Sequence, residues 1–386
     1  SRSLPAALAA LCSAGPCFLG PSTIAAAQTG PTPLFVLDAQ GGVGSDFSDL
    51  ASAVAGVPDG ATLLVRPGDY GGLVVDGKSL NILAPEAGVA FETAGAIRNL
   101  ALGQRVVVRG VDFGLLGGTL LVADCDGSVW FEDVSLAFVS QVFLSGADAF
   151  TVVSSRFDFG GSISGAVDPL LAVDSSLALF DCVAEGSTGG VEFCVASAGL
   201  RANGASAVHA YDSTFTGSGC TPSGPLAPDA ASGVVVGSSA VFFGRNVTAV
   251  GSTVVGNPAP PFEIAPGGVV TEVAGVARTL DAPARVRFGV PFDLALGGKP
   301  GELALVFAGA DPSGLFVDPF LSTLALSSPQ VQVLAATLDA AGQQSLTATV
   351  GALPGVEFTS VFLQAAHVDG IDVRLGHPTW LPILGG

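Results

Sequence analysis

The chain repeats one theme, an apolar strand, a polar corner, a second short apolar stretch and then glycine: VVVRGVDFG (106–114), VWFEDVSLAF (129–138), FTVVSSRFDFGG (150–161), LALFDCVAEG (177–186), VHAYDSTFTG (208–217) and VFFGRNVTAVG (241–251). We align the segments on their corner residues, which are Arg109, Glu132, Ser154, Asp181, Asp212 and Gly244. The corners are separated by steps of 23, 22, 27, 31 and 32 residues. Such a period indicates a repeat architecture, in which each repeat is one supersecondary unit.

The residues just before the corners form two apolar columns. The nearer column is Val108, Phe131, Val153, Phe180, Tyr211 and Phe243, and the column before it is Val107, Trp130, Val152, Leu179, Ala210 and Phe242. In a parallel β-helix, equivalent residues of successive coils stack about 4.8 Å apart, and no coil buries its apolar face alone. The pattern therefore predicts an all-β chain built around a parallel β-helix. Because adjacent positions point to opposite faces, one column faces the interior, and the other must be covered by loops, a domain or another molecule.

Composition agrees with this architecture and excludes several functions. Only 12% of residues are charged, 49% are hydrophobic, and the net charge is −19. Disordered chains show the opposite balance, and a helical protein would use more Lys and Met than this chain, which has no Met. Nucleic acid is not an expected partner, because phosphate binding needs clustered Lys and Arg.

The start of the repeat region carries a family resemblance. DFSDLASAVA (46–55) has apolar residues at helical spacing and predicts a helix that caps the stack. Ala53-Val54-Ala55, Pro58-Asp59-Gly60 and Pro67-Gly68-Asp69-Tyr70 follow one another as in the right-handed parallel β-helix (pectin lyase-like) superfamily, which this stretch resembles. The resemblance covers 33–274 and implies the fold. It implies no single function, because this fold hosts lyases, hydrolases, esterases and non-enzymatic surface proteins.

The C-terminal part of the chain has a different pattern. A Pro-rich stretch (257–268) is followed over 276–386 by short alternating strands with turn residues at intervals of roughly 8–12 residues, which is typical of an antiparallel β-sandwich. This region resembles the small C-terminal sandwich domains of secreted bacterial β-helix proteins. The resemblance implies a role in attachment or export sorting.

Residues 1–27 have the pattern of a signal peptide. Arg2 precedes the apolar stretch Leu4–Ala14, and Ala25-Ala26-Ala27 provides a small-residue exit. An N-terminal cap or strand is the alternative. Cys12 and Cys17 lack the preceding small residue of a lipoprotein signal, which disfavours a lipid anchor. No later apolar run reaches about 18 residues, so we expect a secreted or cell-surface protein without a transmembrane segment in the mature chain.

Four cysteines remain after this leader: Cys125, Cys182, Cys194 and Cys220. An even count behind an export signal favours disulfides, and four cysteines allow three pairings. We favour Cys194–Cys220, because both residues follow equivalent strands. Cys182–Cys194, which would close a short loop, is the alternative. No CxxC is present to suggest a zinc cluster.

The candidate catalytic residues are corner carboxylates. Asp181 and Asp212 share a register in adjacent coils, so their backbones should lie about 5 Å apart, close to the carboxyl separation that glycosidases use. Glu132 is placed in the same register two coils away. The competing interpretation is that these residues keep a weakly charged surface soluble and suit turns. The Lys and Arg bases that the resemblance to polysaccharide lyases implies are scattered, and the esterase-type GxxDFIFG stretch is absent.

No metal motif is evident. His209, His367 and His377 form no HxxxH or HExxH, and we predict surface positions for His367 and His377. We expect no cofactor, with calcium as a weaker candidate at 38–49 or at Asp124 and Asp126.

The sequence thus predicts an exported, non-catalytic β-helix protein of a cell surface or extracellular assembly that binds polysaccharide or copies of itself. The alternative is a carbohydrate-active hydrolase or lyase. A phage-type tail spike is disfavoured by the leader.

Overall fold

The structure is a computed structural model, and it describes residues 23–24, 32–93, 95–114, 118–137, 141–158, 167–187, 196–220, 229–254, 257–317, 322–327, 330–351 and 356–385. The chain divides into two compact units, Phe35–Ala274 and a second unit formed by Ser1–Leu34 with Gly275–Gly386. The regular secondary structure of the described residues is almost entirely strand, and it includes one helix, α1 (Leu50–Gly56). Among these residues no helix is long and apolar enough to cross a membrane.

The unit Phe35–Ala274 consists of three strand series, each paired in parallel from one pass of the chain to the next. The first series contains Val74–Asp76, Ala96–Arg98, the first part of Thr119–Glu132, the first part of Gln141–Val153, Leu170–Val173, Leu200–Asn203, Val234–Val236 and Phe262–Ile264. The second series contains Leu34–Leu37, Ala61–Val65, Leu80–Leu83, Arg105–Arg109, the second parts of Thr119–Glu132 and Gln141–Val153, Ser176–Phe180, Ala207–Tyr211, Val241–Arg245 and Val269–Val273.

The third series forms a sheet of its own. It contains Gly68–Tyr70, Val89–Phe91, Asp112–Phe113, Ser135–Ala137, Arg156–Asp158, Val183–Glu185, Thr214–Thr216 and Thr248–Val250. One pass of the chain contributes one strand to each series in turn. Two short antiparallel pairs, Gly219–Cys220 with Asp229–Ala230 and Thr253–Val254 with Asn257–Pro258, branch from the later passes. This all-β arrangement of long parallel sheets is compatible with a β-helix-like fold.

An apolar core runs between the three series. The interior column of the second series is Val108, Phe131, Val152, Leu179 and Ala210, each fully buried. In the third, fourth and fifth repeats this column lies one residue earlier than the predicted column, which contains Val153, Phe180 and Tyr211. In the sixth repeat it lies one residue later, at Gly244 instead of Phe243. The prediction was wrong there because it aligned residues that are not equivalent. Arg109 and Glu132 are the last strand residues of their repeats, whereas Ser154, Asp181 and Asp212 each follow the last strand residue.

The helix α1 closes the N-terminal end of this core. The Asp49 carboxylate accepts a hydrogen bond from the Ser52 backbone N–H at 2.8 Å and caps the helix. Leu50, Ala53 and Val54 are buried in the core. At the other helix end, the Lys78 Nζ donates to the carbonyls of Val54 and Val57. Lys78 is therefore engaged in holding the helix.

The C-terminal unit contains two larger sheets over one apolar core. The four-stranded sheet is ordered Thr23–Ile24, Gln343–Val350, Pro291–Gly297, Thr279–Asp281, and the five-stranded sheet is ordered Val286–Arg287, Asp372–Leu384, Phe358–Asp369, Leu303–Gly309, Val331–Thr337. Pairing is antiparallel except at Thr23–Ile24 and Val286–Arg287. A further hairpin pairs Pro312–Val317 with Ser322–Leu326. Leu294 and Leu296 of the first sheet share a buried cluster with Val306 and Leu363 of the second.

Candidate functional site

The corner after the second strand series is a ladder of residues in the left-handed backbone conformation. Its members are Gly110, Asp133, Ser154, Asp181, Asp212 and Asn246, with φ values of 75°, 51°, 47°, 53°, 53° and 55°. Each backbone N–H donates to a carbonyl of the next pass, as from Asp181 to Tyr211 at 3.0 Å and from Asp212 to Arg245 at 3.0 Å. Gly, Asn and Asp are the residues that tolerate this conformation best, which explains why acidic residues recur at this corner.

The observed register corrects the predicted alignment of the corners. Arg109 lies opposite Glu132, and the same column continues through Val153, Phe180, Tyr211 and Arg245. Asp181 and Asp212 share a register in adjacent passes, but their column partner is Asp133. The placement of Glu132 in that column was wrong, as was that of Gly244. Only the backbone conformation distinguishes the last strand residue from the corner residue that follows it.

The contacts of Asp181 and Asp212 run along the ladder. The Ser154 Oγ donates to the exposed Asp181 carboxylate at 3.4 Å. The half-buried Asp212 carboxylate accepts a hydrogen bond from the Asn246 Nδ2 at 2.7 Å. Each carboxylate thus contacts the neighbouring corner side chain. This arrangement fits the turn interpretation of these residues better than an acid–base pair around a substrate.

Glu132 lies in a buried ionic cluster on the outward side of the second series. Its Oε2 accepts a hydrogen bond from the Trp130 indole at 3.0 Å, and its Oε1 is 3.4 Å from the Arg109 guanidinium. Arg109 also donates through Nε to the Asp133 carboxylate at 3.2 Å. A buried carboxylate paired in this way serves a structural role. The Arg109–Glu132 ion pair was not predicted, although the two residues stand at equivalent positions of consecutive repeats.

Aromatic and cationic side chains continue the same outward face. The rings of Phe180 and Tyr211 stack with centroids 4.8 Å apart, and the Arg245 guanidinium lies 4.9 Å from the Tyr211 ring centroid. Arg109 and Arg245 belong to one column, with four passes between them. Tyr211 and Arg245 are buried. Burial also lowers the pKa of His209, on the same face, to about 4.

Two cysteines stand in interior columns that follow the corners, Cys182 after the second strand series and Cys125 after the first. Ser155 and Ser213 each donate their hydroxyl to the carbonyl two residues earlier, at 2.8 and 2.9 Å. Cys182 lies between them in the ladder and makes the same contact through its thiol at 3.3 Å. The Cys125 thiol makes the equivalent contact with the Ala123 carbonyl at 3.2 Å. Both thiols are buried and free, so the alternative pairing Cys182–Cys194 was wrong.

The remaining pair of cysteines is only partly described. Cys220 is disulfide-bonded, and its partner lies outside the described residues. Cys194, the partner that the sequence favours, is outside them as well. Most of the predicted leader also lies outside, apart from Thr23–Ile24, which pairs with Thr349 and Val350.

The calcium candidates in the segment 38–49 use their carboxylates for contacts within the protein. Asp38 accepts from the Arg66 guanidinium at 2.8 Å, and this hydrogen bond is the main cause of its lowered pKa. Asp46 accepts from the Val36 N–H at 2.7 Å, and Asp49 caps α1. Asp124 is a left-handed corner residue of a second ladder, after the first strand series. Over the described ranges no three His, Cys, Asp or Glu side chains converge as metal ligands.

The two C-terminal histidines are buried, contrary to the predicted surface positions. His367 is fully buried, with its Nδ1 3.5 Å from Glu302, and His377 is 5% exposed. Glu302 also accepts two hydrogen bonds from the buried Arg278, at 2.5 and 3.2 Å. The apolar residues of their strands do not reveal this network, because its partners are distant in sequence.

The outward face of the first strand series combines an apolar and a polar column. Leu121, Phe143 and Leu171 are half-buried neighbours at one register. The column begins with Val74 and Ala96, and it continues after Leu171 with Arg201, which pairs with Asp168 at 2.5 Å. The neighbouring column is Asp76, Arg98, Ala123, Ser145, Val173 and Asn203. This face offers an apolar strip beside hydrogen-bonding groups.

Comparisons with known proteins assign no family to the chain. No family model matches it, and no curated protein matches it. Among solved structures, part of the chain is similar to Escherichia coli alpha-2-macroglobulin activated by porcine elastase, with 14% identity and a TM-score of 0.21. That match covers 29% of this chain and 13% of the other chain.

Proposed function

We propose that this protein is an exported, non-catalytic right-handed parallel β-helix with a C-terminal β-sandwich, and that it binds an extended polysaccharide at a cell surface. The observation that carries the non-catalytic part is the corner ladder. Asp181 and Asp212 have positive φ angles, and each contacts a neighbouring corner side chain. The third candidate, Glu132, is buried beside Arg109 and Trp130.

The outward face of the first strand series supports polysaccharide as the ligand. Successive strands repeat about every 4.8 Å, so Leu121, Phe143 and Leu171 form a straight apolar strip. Sugar rings present apolar C–H faces and hydroxyl edges, and binding sites of this kind combine apolar contact with a few placed polar groups. Ser145 and Asn203 in the adjacent column could provide such groups.

Binding assays with Phe143→Ala test this proposal. The full chain is titrated with a panel of neutral and acidic polysaccharides, with hydrolysis monitored in the same samples. We expect saturable binding without turnover, weakened about tenfold by Phe143→Ala, or ~1.4 kcal/mol. Val183→Ala, on the outward face of the third series, is the matched control and should bind like the wild type. Equal affinities for wild type and Phe143→Ala would contradict the assigned face.

A carbohydrate-active enzyme is the second candidate function, favoured by one observation. Asp181 and Asp212 occupy the same register in adjacent passes, at a spacing near that used by retaining glycosidases. Polysaccharide turnover that Asp212→Asn abolishes, with unchanged folding, would support this alternative and refute the non-catalytic proposal.

Export and disulfide formation are part of the proposal. We propose cleavage near Ala27, which would remove the edge strand Thr23–Ile24 from the four-stranded sheet. We also propose a Cys194–Cys220 disulfide, which fits the free state of Cys125 and Cys182 and the oxidising compartments where disulfides persist. N-terminal sequencing of exported protein tests the cleavage, and an intact Ser1 refutes it. Peptide mapping without reduction tests the pairing, and a link from Cys220 to Cys12 or Cys17 refutes it.

A further inference from the structure

Within the part of the chain that the structure describes, the strand stack ends at three edges without a further strand beside them. Thr248–Val250, Phe262–Ile264 and Val269–Val273 are the last strands of the third, first and second series. Each pairs with the preceding pass, and within the described residues no backbone hydrogen bond reaches the opposite edge of the three strands. Such an edge presents unpaired N–H and C=O groups that can template another strand.

The apolar core side chains are also more exposed at this end. At the N-terminal end, α1 covers the core with Leu50 and Ala53, which are 1% and 0% exposed. At the C-terminal end, the last core side chains, among them Phe262 and Val270, are only partly buried. Ile264, which pairs with the core residue Val236, is 49% exposed. Val250 and Val269, exposed at 43% and 49%, stand on the outward faces of the other two last strands. The two ends of the stack therefore differ in how well their core side chains are covered.

The charge at this end indicates which kind of strand could bind there. Glu263 and Glu272 are exposed on two of the last strands, and none of the described ion pairs includes them. A second copy would bring the same two carboxylates and a net charge of −19 against them, which like-charge repulsion opposes. A strand with Lys or Arg alternating with apolar residues can pair with the backbone edge, pack on an exposed apolar side chain and meet the carboxylate of the strand beside which it lies.

We propose that the C-terminal end of the stack is a docking site for an extended basic segment of another protein, which adds as a β-strand along Phe262–Ile264 or Val269–Val273. Main-chain hydrogen bonds provide affinity in this mode of recognition, and alternate side chains provide specificity. The site is distinct from the outward face of the first series, so it does not depend on polysaccharide binding.

Synthetic peptides test the proposal on the full chain. Fluorescein-labelled peptides of alternating Val and Lys, of alternating Val and Glu, and of Val and Lys with two central prolines are titrated by fluorescence anisotropy. We expect saturable binding of the Val/Lys peptide only, because proline removes N–H donors without changing the charge. The double variant Glu263→Lys/Glu272→Lys should bind it at least about tenfold more weakly.

Two controls separate this site from general attraction to an acidic protein. Asp69→Lys/Asp112→Lys makes the same charge change on exposed residues of the third series and should leave binding unchanged. Thermal unfolding checks that both variants fold. If Glu263→Lys/Glu272→Lys does not fold, Glu263→Gln/Glu272→Gln takes its place in the experiment. Three outcomes would each overturn the proposal. The first two are equal binding of the proline peptide and equal losses of binding in both double variants. The third is dimerisation, seen by light scattering, that Val269→Lys removes.

Discussion

The Asn246 side-chain amide donates to the Asp212 carboxylate across 2.7 Å and joins the left-handed corners of two adjacent passes. Asn246 also begins a glycosylation sequon, Asn246-Val247-Thr248. In this structure its amide is committed to the ladder. In sequence, Asp212 is a candidate catalytic residue because it shares a register with Asp181. In the structure, its carboxylate contacts the corner residue of the next pass.

The corner conformation predicts the response of Asp181 to substitution. Asp181→Val should lower the free energy of unfolding by about 1–2 kcal/mol, because a side chain with a Cβ is strained at φ 53° and a β-branched one especially so. Asp181→Gly should be nearly neutral, because glycine adopts this conformation freely. Urea denaturation measures both. Asp148→Val, at an exposed position within the strand Gln141–Val153, is the control, and an equal loss there would contradict the argument.

The buried ion pair of the C-terminal unit predicts a large effect of one truncation. Glu302→Ala leaves the buried Arg278 guanidinium without its carboxylate and should destabilise this unit by about 3–5 kcal/mol. Asp369→Ala removes the exposed Lys299–Asp369 pair and should change stability by less than about 1 kcal/mol. Calorimetry of both variants gives the comparison. Similar losses in the two variants would contradict the assignment.

The thiol of Cys182 should be inert in the folded protein. Burial raises its pKa from the ordinary 9.0 to about 12. Because the folded thiol holds its proton more tightly, stability is fully present below pH 9 and decreases as the pH rises toward 12. Cys182→Ser should reduce this loss and keep the ladder contact, with stability at pH 7 within about 1 kcal/mol of wild type. Iodoacetamide labelling of the wild type at pH 8.5 tests whether the Cys182 thiol is inert. Modification of Cys182 without denaturant would refute the prediction.

The half-buried His209 predicts a pH dependence at the acidic side. Desolvation lowers its pKa from 6.5 to about 4, so the unfolded chain binds a proton that the folded chain refuses. The stability associated with this group is therefore present above pH 6.5 and is lost as the pH falls toward 4. His209→Gln should flatten the profile between pH 6.5 and 4 relative to wild type. Urea midpoints at a series of pH values measure this, and parallel profiles would disprove it.

Much of the fold was predictable, and the misplaced residues show where prediction stopped. The repeats at Val106–Gly251 and the helix near Asp49 follow from periodic apolar residues and a capping residue, which are local signals. Glu132 was misplaced by one position, because Glu132 and Asp133 are both acidic and only a change in φ separates strand from corner. His367 was placed at the surface, because its partners Arg278 and Glu302 lie far away in the chain.

The sequence by itself determined the all-β class, the number of residues in each repeat and the recurrence of Asp, Asn and Gly at the corners, because these depend on side-chain size, polarity and backbone preference. Only the tertiary structure decided which acidic residues share a column, which thiols are free, and that Glu263 and Glu272 are exposed on the last strands. Those properties arise from hydrogen bonds and burial between residues of different passes. A one-residue shift of register moves a side chain to the opposite face, and no local pattern in this chain fixes that register.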